Sequence, residues 1–166
     1  GAMISLSEET ILTPGNGVGV RVRGGREIVL RPENGPNALW RNLSGENLAD
    51  WPNPGGGRTW VSPEADLFFP HLAENGRDDH RVPPEMDPGN FAIEAQAPGT
   101  LTLRNDFCAH FWTDGSDLPL ILRKKVSVLD APPEELPDGV AFAGYELAVT
   151  LTAERKPSAA QKPAIW

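Results

Sequence analysis

The sequence predicts an all-β protein, an antiparallel β-sandwich, and three observations support that fold class. Gly and Pro contribute 17 residues each to the 166, and residues of these two types end helices and mark turns. Segments in which apolar and polar residues alternate recur along the chain, as in half-buried strands. Turn sequences separate these segments at the spacing of sandwiches and barrels. The segment 44–50 is compatible with a helix, of about two turns at most.

The first strands are predicted around glycine-rich turns. Val18, Val20 and Val22 alternate with small or charged residues, which predicts a half-buried strand. Gly24-Gly25 then predicts a hairpin turn. We expect a lead-in strand within 4–12, a return strand at 27–30, short strands at 37–42 and 58–61, and a loop over 43–58.

Longer strands are predicted in the second half of the chain. They cover 91–96, 101–104, 107–112, 120–129 and 140–152, and in the last of these Tyr145, Leu147, Val149 and Leu151 share one face. The total is about nine or ten strands, as expected for a sandwich. Residues 70–90 combine charged residues and His with Pro and Gly and have no usable period. Loops that long are uncommon in a compact domain and are often functional.

Composition and charge exclude several classes of protein. The net charge is −8, whereas nucleic-acid binding requires a basic face that replaces phosphate counterions. The longest basic cluster, Arg123-Lys124-Lys125, lies in a predicted strand, where its side chains would alternate between the two faces. We therefore expect no nucleic-acid partner. The single Cys108 cannot form an intrachain disulfide, and no apolar run is long enough for a transmembrane helix.

The chain has the length of one domain. We expect Gly1-Ala2-Met3 to be a remnant of tag cleavage, and no signal peptide follows it. Residues 4–166 then form either a single β-sandwich domain or the N-terminal half of a larger one. The apolar ending Ala164-Ile165-Trp166 has the character of a strand that has just begun. Both a cytoplasmic and an exported location are compatible with these features.

A glycine-rich block, 55–60, is the first candidate for ligand binding. Glycines allow the backbone to approach a ligand closely. Arg58 is a bidentate donor to vicinal hydroxyls or carboxylates, and Trp60 offers a flat apolar surface to a sugar ring. The alternative is a surface hairpin with Trp60 in the core. The block lacks the Gly-Lys-Ser/Thr ending of a phosphate-binding loop.

The long polar loop is the second candidate. Its potentially reactive residues are His71, Asp78, Asp79, His80, Arg81 and Glu85. His and carboxylates in one loop are suited to general acid–base chemistry near neutral pH. The alternative is a solvated polar loop. The spacing matches no strong zinc signature, so we expect neither a metal nor a cofactor.

Two further patterns are less specific. Cys108 and His110 are two residues apart in a predicted strand and therefore share a face. A Cys–His nucleophile also needs hydrogen-bond contact and an oxyanion hole, and no local residue supplies the second. Glycoside hydrolysis requires two opposed carboxylates, and the sequence does not pair any of the candidates, which are Glu33, Glu64, Glu85 and Glu94.

Several of these segments together resemble a known family. The strand pair and turn at 26–35 lead to Leu39-Trp40, then to the glycine-rich block, Ser62-Pro63-Glu64 and the loop ending at 82–91. Paired long strands follow. This order resembles the first half of galactose mutarotase-like proteins, relatives of aldose 1-epimerase, in their uncharacterised bacterial branch. The resemblance covers 18–166.

The resemblance implies a fold, an activity and site residues. The fold is a β-supersandwich, and the activity is the interconversion of sugar anomers. In this family one His protonates the ring oxygen, a Glu removes the anomeric proton, and an Arg and another His hold hydroxyls. By position, Arg58 matches the substrate arginine and His80, or else His71, the acid. Together with the two candidate segments above, the expected sugar-binding residues are Arg58, Trp60, Glu64, His71 and Arg81.

The resemblance also implies an incomplete active site. The family's second histidine and its catalytic glutamate lie in the second half of the fold, which these residues do not reach. Three explanations stay open: the rest was removed, two chains complete one sandwich as a dimer, or the domain only binds.

Two classes of function follow. The first is a carbohydrate-binding, mutarotase-like domain, an aldose 1-epimerase-like isomerase if the full fold is present. The alternative is a non-catalytic module that binds carbohydrate, or one whose exposed strands pair with another chain or a missing segment.

Overall fold

The described part of the chain consists mainly of strands joined by loops, with little helix. The computed structural model describes residues 4–5, 10–12, 19–23, 25–30, 56–140 and 142–166. The strands in these ranges are β1 (Ile4–Ser5), β2 (Thr10–Leu12), β3 (Gly19–Arg23), β4 (Arg26–Leu30), β5 (Val61–Ser62), β6 (Ala92–Ala97), β7 (Thr100–Phe111), β8 (Ser116–Val128), β9 (Tyr145–Ala153) and β10 (Ala164–Ile165). The predicted all-β class is confirmed.

The strands form three antiparallel sheets. The largest has the order β1-β6-β7-β8-β9, a second has the order β2-β3-β4, and β10 pairs with β5. Turns at Gly99 and Gly115 join β6 to β7 and β7 to β8. Both glycines have φ of 70°, a backbone conformation that other residues rarely adopt. The lead-in segment 4–12 forms two short strands, which belong to different sheets.

The core lies between the large sheet and the three-stranded sheet. Alternate residues of β7 and β8 point inward, and their apolar members are almost fully buried. These are Leu101, Leu103, Phe107, Ala109, Phe111, Leu118, Leu120, Leu122 and Val126. Val20 and Val22 of β3 belong to the same buried cluster. The small sheet therefore covers the large one, as in a two-layered, sandwich-like packing.

One strand replaces the two that were predicted at 101–104 and 107–112. Asn105 interrupts the apolar row of β7 and is fully buried. Its Nδ2 donates to the carbonyl of Glu85 at 2.9 Å, and its Oδ1 accepts from the amide of Asn90 at 3.2 Å. Because both polar ends of the side chain are satisfied, the strand continues through a polar residue.

Two short helical segments correct the prediction of an irregular region over 70–90: α2 (Leu72–Asn75) and an irregular helical turn, Glu85–Gly89. A third, α1 (Glu64–Leu67), precedes that region. Segments of four or five residues are too short to show a helical period. No helix in the described ranges is long and apolar enough to cross a bilayer. The predicted strand at 58–61 is shorter, Val61–Ser62, and the segments 37–42 and 44–50 lie outside the described residues.

A buried ion pair joins the two sheets. Within the basic cluster the side chains alternate as predicted, with Lys125 exposed and Lys124 fully buried. Lys124 Nζ donates to Glu27 Oε2 at 2.8 Å and to the carbonyl of Gly25 at 2.5 Å. Burial, the largest influence, raises the pKa of Glu27 and lowers that of Lys124, because a low-dielectric site disfavours both charged forms.

The outer face of the large sheet carries a network of exposed ion pairs. Arg104 Nε donates to Asp106 at 2.6 Å, and Arg123 Nε donates to Glu94 at 2.9 Å. The pKa of Glu94 is lowered mainly by its hydrogen bonds from Arg123, and the pKa of Asp106 is lowered mainly by its hydrogen bonds from Arg104. These partners stabilise the ionised carboxylates.

We expect acid to weaken this network and lower the stability of the protein. The pKa values of Glu94 and Asp106 lie below their ordinary 4.5 and 3.8 in the folded chain. Their contribution is therefore complete above those values and is lost as the pH falls through the folded pKa. Denaturant unfolding at about pH 7 and about pH 3 measures this loss. It should be slightly smaller in Asp106→Asn than in Asp130→Asn, a control in an exposed loop, and equal losses would contradict the expectation.

Candidate functional site

Two tryptophans line an open pocket where β5 pairs with β10. The pocket has a volume of about 180 Å³ and is lined by Arg58, Trp60 and Trp166. Trp60 precedes β5, Trp166 follows β10, and their backbone amides and carbonyls exchange hydrogen bonds of 2.9 and 3.0 Å. The two residues are thus directly opposite in the ladder. Their rings meet edge to face, with centroids 5.4 Å apart and an interplanar angle of 84°.

The accessible aromatic surface belongs to Trp166. Its side chain is 54% exposed, whereas Trp60 is half-buried and packs on Phe68 with ring centroids 5.3 Å apart. The Arg58 guanidinium lies over the Trp60 ring, 4.9 Å from its centroid. The exposed flat ring at this pocket is therefore that of Trp166, whereas Trp60 is partly buried and packs against the core.

Asp87 fixes the orientation of the Trp60 indole. Its Oδ2 accepts a hydrogen bond of 2.9 Å from Trp60 Nε1. The Arg26 guanidinium donates to both oxygens of the same carboxylate, at 3.1 and 3.0 Å. The side chains of Arg26 and Asp87 are only 13% and 7% exposed. This buried, bidentate pair holds the pocket wall in one geometry before any ligand arrives.

His80 and Glu64 form a second part of the site, next to Trp60 and Phe68. The His80 ring centroid is 6.5 Å from that of Trp60 and 5.7 Å from that of Phe68. His80 Nε2 is 3.8 Å from Glu64 Oε1, and the two side chains are 40% and 37% exposed. The two groups are too far apart for a hydrogen bond, but His and Glu are side chains of the kind used in general acid–base chemistry. Because a sugar ring does not fit between groups at this distance, the pair can act only from one side of a ligand.

The structure therefore brings four of the six predicted site residues into one series of contacts. They are Arg58, Trp60, Glu64 and His80. The other two, His71 and Arg81, contact the carboxylate of Asp79 instead. The distance is 3.6 Å from His71 Nε2 and 2.7 Å from Arg81 Nε. Among the described residues, neither His71 nor Arg81 lines the tryptophan pocket.

A second cleft, of about 170 Å³, is lined in part by Leu67 of α1. Its lining residues are Leu67, Arg81, Val82, Pro83, Pro84, Glu85, His110 and Trp112. His110 Nδ1 is 2.6 Å from Asp117 Oδ1, and the His110 ring meets that of Trp112 edge-on at 4.5 Å. The carboxylate fixes the orientation of the imidazole.

The Cys108 and His110 side chains share the outer face of β7, as predicted from their spacing. His110 is paired with Asp117 across the strands rather than with the thiol. Partial burial, and after it the Asp117 carboxylate, raises the pKa of the Cys108 thiol. A raised pKa disfavours the thiolate, which is the nucleophilic form, so the geometry does not support a Cys–His nucleophile.

Asp87 and Trp166 are the residues that the sequence analysis missed. Asp87 lies in the aperiodic loop, where no pattern marks it as a partner of Trp60 or Arg26. Trp166 did carry a signal, since an aromatic residue in an apolar terminal segment predicts a strand that packs or binds.

No group of three or more His, Cys, Asp or Glu residues in the described ranges is arranged to hold a metal ion. No protein-family model, curated protein or solved structure matches the chain.

Proposed function

We propose that this protein binds carbohydrate in the pocket formed by Arg58, Trp60 and Trp166. The observation that carries the proposal is the half-exposed indole of Trp166 beside the Arg58 guanidinium. Indole rings offer a flat apolar surface to the C–H face of a sugar. A guanidinium is a bidentate donor to neighbouring hydroxyls or to a carboxylate. The Asp87 support of Trp60 reduces the ordering cost of binding.

The resemblance to galactose mutarotase-like proteins leads to the same class of ligand. It also suggests anomer exchange as a second candidate function, which the closeness of His80 to Glu64 favours. Because the pair can act from only one side of a ligand, binding is the better supported of the two functions. Anomer exchange by this chain, with His80 as the acid, is the proposal to test after binding is established.

An amide and indole NMR titration tests binding. The panel contains aldoses, uronic acids and sugar phosphates, and saturable shifts are expected at residues 57–62, 80 and 164–166. Arg58→Ala removes charged hydrogen bonds of about 1.5–3 kcal/mol, so we expect affinity to fall by at least about tenfold. The matched control is Arg77→Ala, since Arg77 also lies over an aromatic ring, that of Phe69, at 5.5 Å.

Two further variants separate direct contact from positioning. Trp166→Ala should abolish the shifts, while Trp112→Ala removes a tryptophan of similar exposure, 47%, from the other cleft and should change nothing. Asp87→Asn keeps the size of the side chain but weakens its hold on Trp60, so affinity should fall while the indole signal of Trp60 broadens. A flat response of the folded protein to the whole panel, or equal losses in Arg58→Ala and Arg77→Ala, would overturn the proposal.

A further inference from the structure

Within the described ranges, β9 is the last strand of the large sheet and no strand pairs with its outer edge. It pairs with β8 in continuous register from Leu120↔Ala153 to Val128↔Tyr145. In the described part of the chain, no other segment forms a backbone hydrogen bond with residues 145–153. An edge of nine residues presents a row of free amides and carbonyls, which is a template for another strand.

The features that normally protect an edge are missing from β9. Its sequence contains neither Pro nor Lys or Arg, and Glu146 is its one charged residue. Its pairing with β8 has no bulge. The opposite edge of the same sheet differs, because β1 has only two residues and β6 carries a register shift between Ile93 and Ala95. Short strands and bulges are the usual protection against edge-to-edge association.

The inward row of β9 is also incompletely covered. Its members are Tyr145, Leu147, Val149, Leu151 and Ala153, and all five are half-buried although they pack against the core. The corresponding inward residues of β8, such as Leu120 and Leu122, are at most 1% exposed. An additional strand beyond β9 would bury this row further.

We propose that β9 is a dimer interface, through which two copies of this chain join their large sheets by antiparallel pairing about a two-fold axis at Val149. This register places Tyr145 opposite Ala153 and Leu147 opposite Leu151, so the inward rows match along the whole strand. A shift by one residue would set the inward row of one copy against the outward row of the other.

The outward row matches in the same register. Glu146 lies opposite Thr152, and Ala148 lies opposite Thr150. No like charges face each other, although the chain as a whole carries a net charge of −8. A surface that is complementary to itself about a two-fold axis is what an isologous dimer requires.

Sedimentation of the full chain over a range of concentrations tests the association. We expect a monomer–dimer equilibrium. In Ala148→Lys/Thr150→Lys, two pairs of lysines would face each other across the axis, and like charges in directly opposite positions are destabilising. The dimer dissociation constant should rise by at least about tenfold. The matched control, Ala131→Lys/Ala160→Lys, adds the same charge at exposed positions outside β9 and should leave the constant unchanged.

A disulfide tests the register. In a Cys108→Ser background, Val149→Cys places one thiol on the axis in each copy, where opposite Cα atoms of an antiparallel pair are about 4.5–5.5 Å apart, within disulfide reach. Oxidation should link the two copies. Leu147→Cys is the control, because its two thiols would lie several residues apart along the strands and should not link.

The outcomes separate the dimer from its alternatives without reference to sugar binding. A chain that stays monomeric at all concentrations, or a dimer that the lysine pair does not weaken, would overturn the proposal. So would slow, concentration-independent hydrogen exchange of those amides of 146–152 that do not bond to β8, because another part of the same chain would then cover the edge. Linking by Leu147→Cys rather than Val149→Cys would overturn the register.

Discussion

Lys124→Ala is expected to lower the free energy of unfolding by about 3–5 kcal/mol near neutral pH. The substitution removes the partner of Glu27, whose side chain is 1% exposed, and leaves a buried carboxylate without its counter-charge. It also removes the donor to the carbonyl of Gly25. The loss should appear as a lower denaturant midpoint with an unchanged slope.

Two controls separate the buried charge from other effects of the substitution. Lys125→Ala removes the neighbouring, exposed lysine and should change stability by no more than about 0.5 kcal/mol. The double variant Lys124→Met/Glu27→Leu replaces the pair by apolar groups and should recover most of the loss. A deficit in Lys124→Ala no larger than that in Lys125→Ala would contradict the buried ion pair.

The deficit in Lys124→Ala should also shrink in acid. Burial raises the pKa of Glu27 above its ordinary 4.5, so the folded state holds the proton more tightly than the unfolded chain. Stability from this group is therefore complete below the unfolded pKa and is lost as the pH rises through the folded pKa. Without Lys124, whose charge and hydrogen bond lower the pKa of Glu27, that loss extends over a wider range of pH.

Phe68→Ala is expected to cost about 3–5 kcal/mol, the range for emptying a buried aromatic site. Phe68 is 0% exposed and its ring lies 5.3 Å from that of Trp60 and 5.7 Å from that of His80. The cavity should therefore reduce stability and also loosen the pocket wall. Chemical unfolding measures the first effect, and broadening of the Trp60 indole signal measures the second.

A conservative and an exposed variant provide the comparison for Phe68→Ala. Phe68→Leu retains most of the buried volume and should cost less than about 1.5 kcal/mol. Leu72→Ala truncates a side chain that is 37% exposed and should change stability by about 0.5 kcal/mol at most. Full stability in Phe68→Ala would place this residue outside the core.

Periodicity predicted the long strands because each strand buries one face. In β8 the alternation places Lys124 in the inward row between Leu122 and Val126. The sequence therefore indicated that the side chains of the basic cluster alternate between the two faces. Which lysine is buried depends on which one is in phase with the apolar residues of the strand. Its partner Glu27 lies in another sheet, and sequence periodicity contains no information on pairing between sheets.

The candidate site was predictable where it is local in sequence. Arg58 and Trp60 are two residues apart and lie together in the structure. The contacts of Trp60 with Asp87 and Trp166 depend on how the loop and the last strand return to β5, and a single sequence does not specify such long-range contacts. The short helices were missed because four residues do not establish a period.

The pairing of Trp60 with Trp166 has a consequence for the kinetics of the pocket. These residues are far apart in the chain and are joined through strands of only two residues each. Closing so large a loop for so few contacts is entropically costly, so this ladder forms late in folding. It also opens by local unfolding at a lower free energy than the long hairpin of β7 and β8. The pocket therefore forms when β10 pairs with β5 and is lost when this pairing opens. A bound ligand would slow the amide exchange of β10 while leaving the exchange of β7 unchanged.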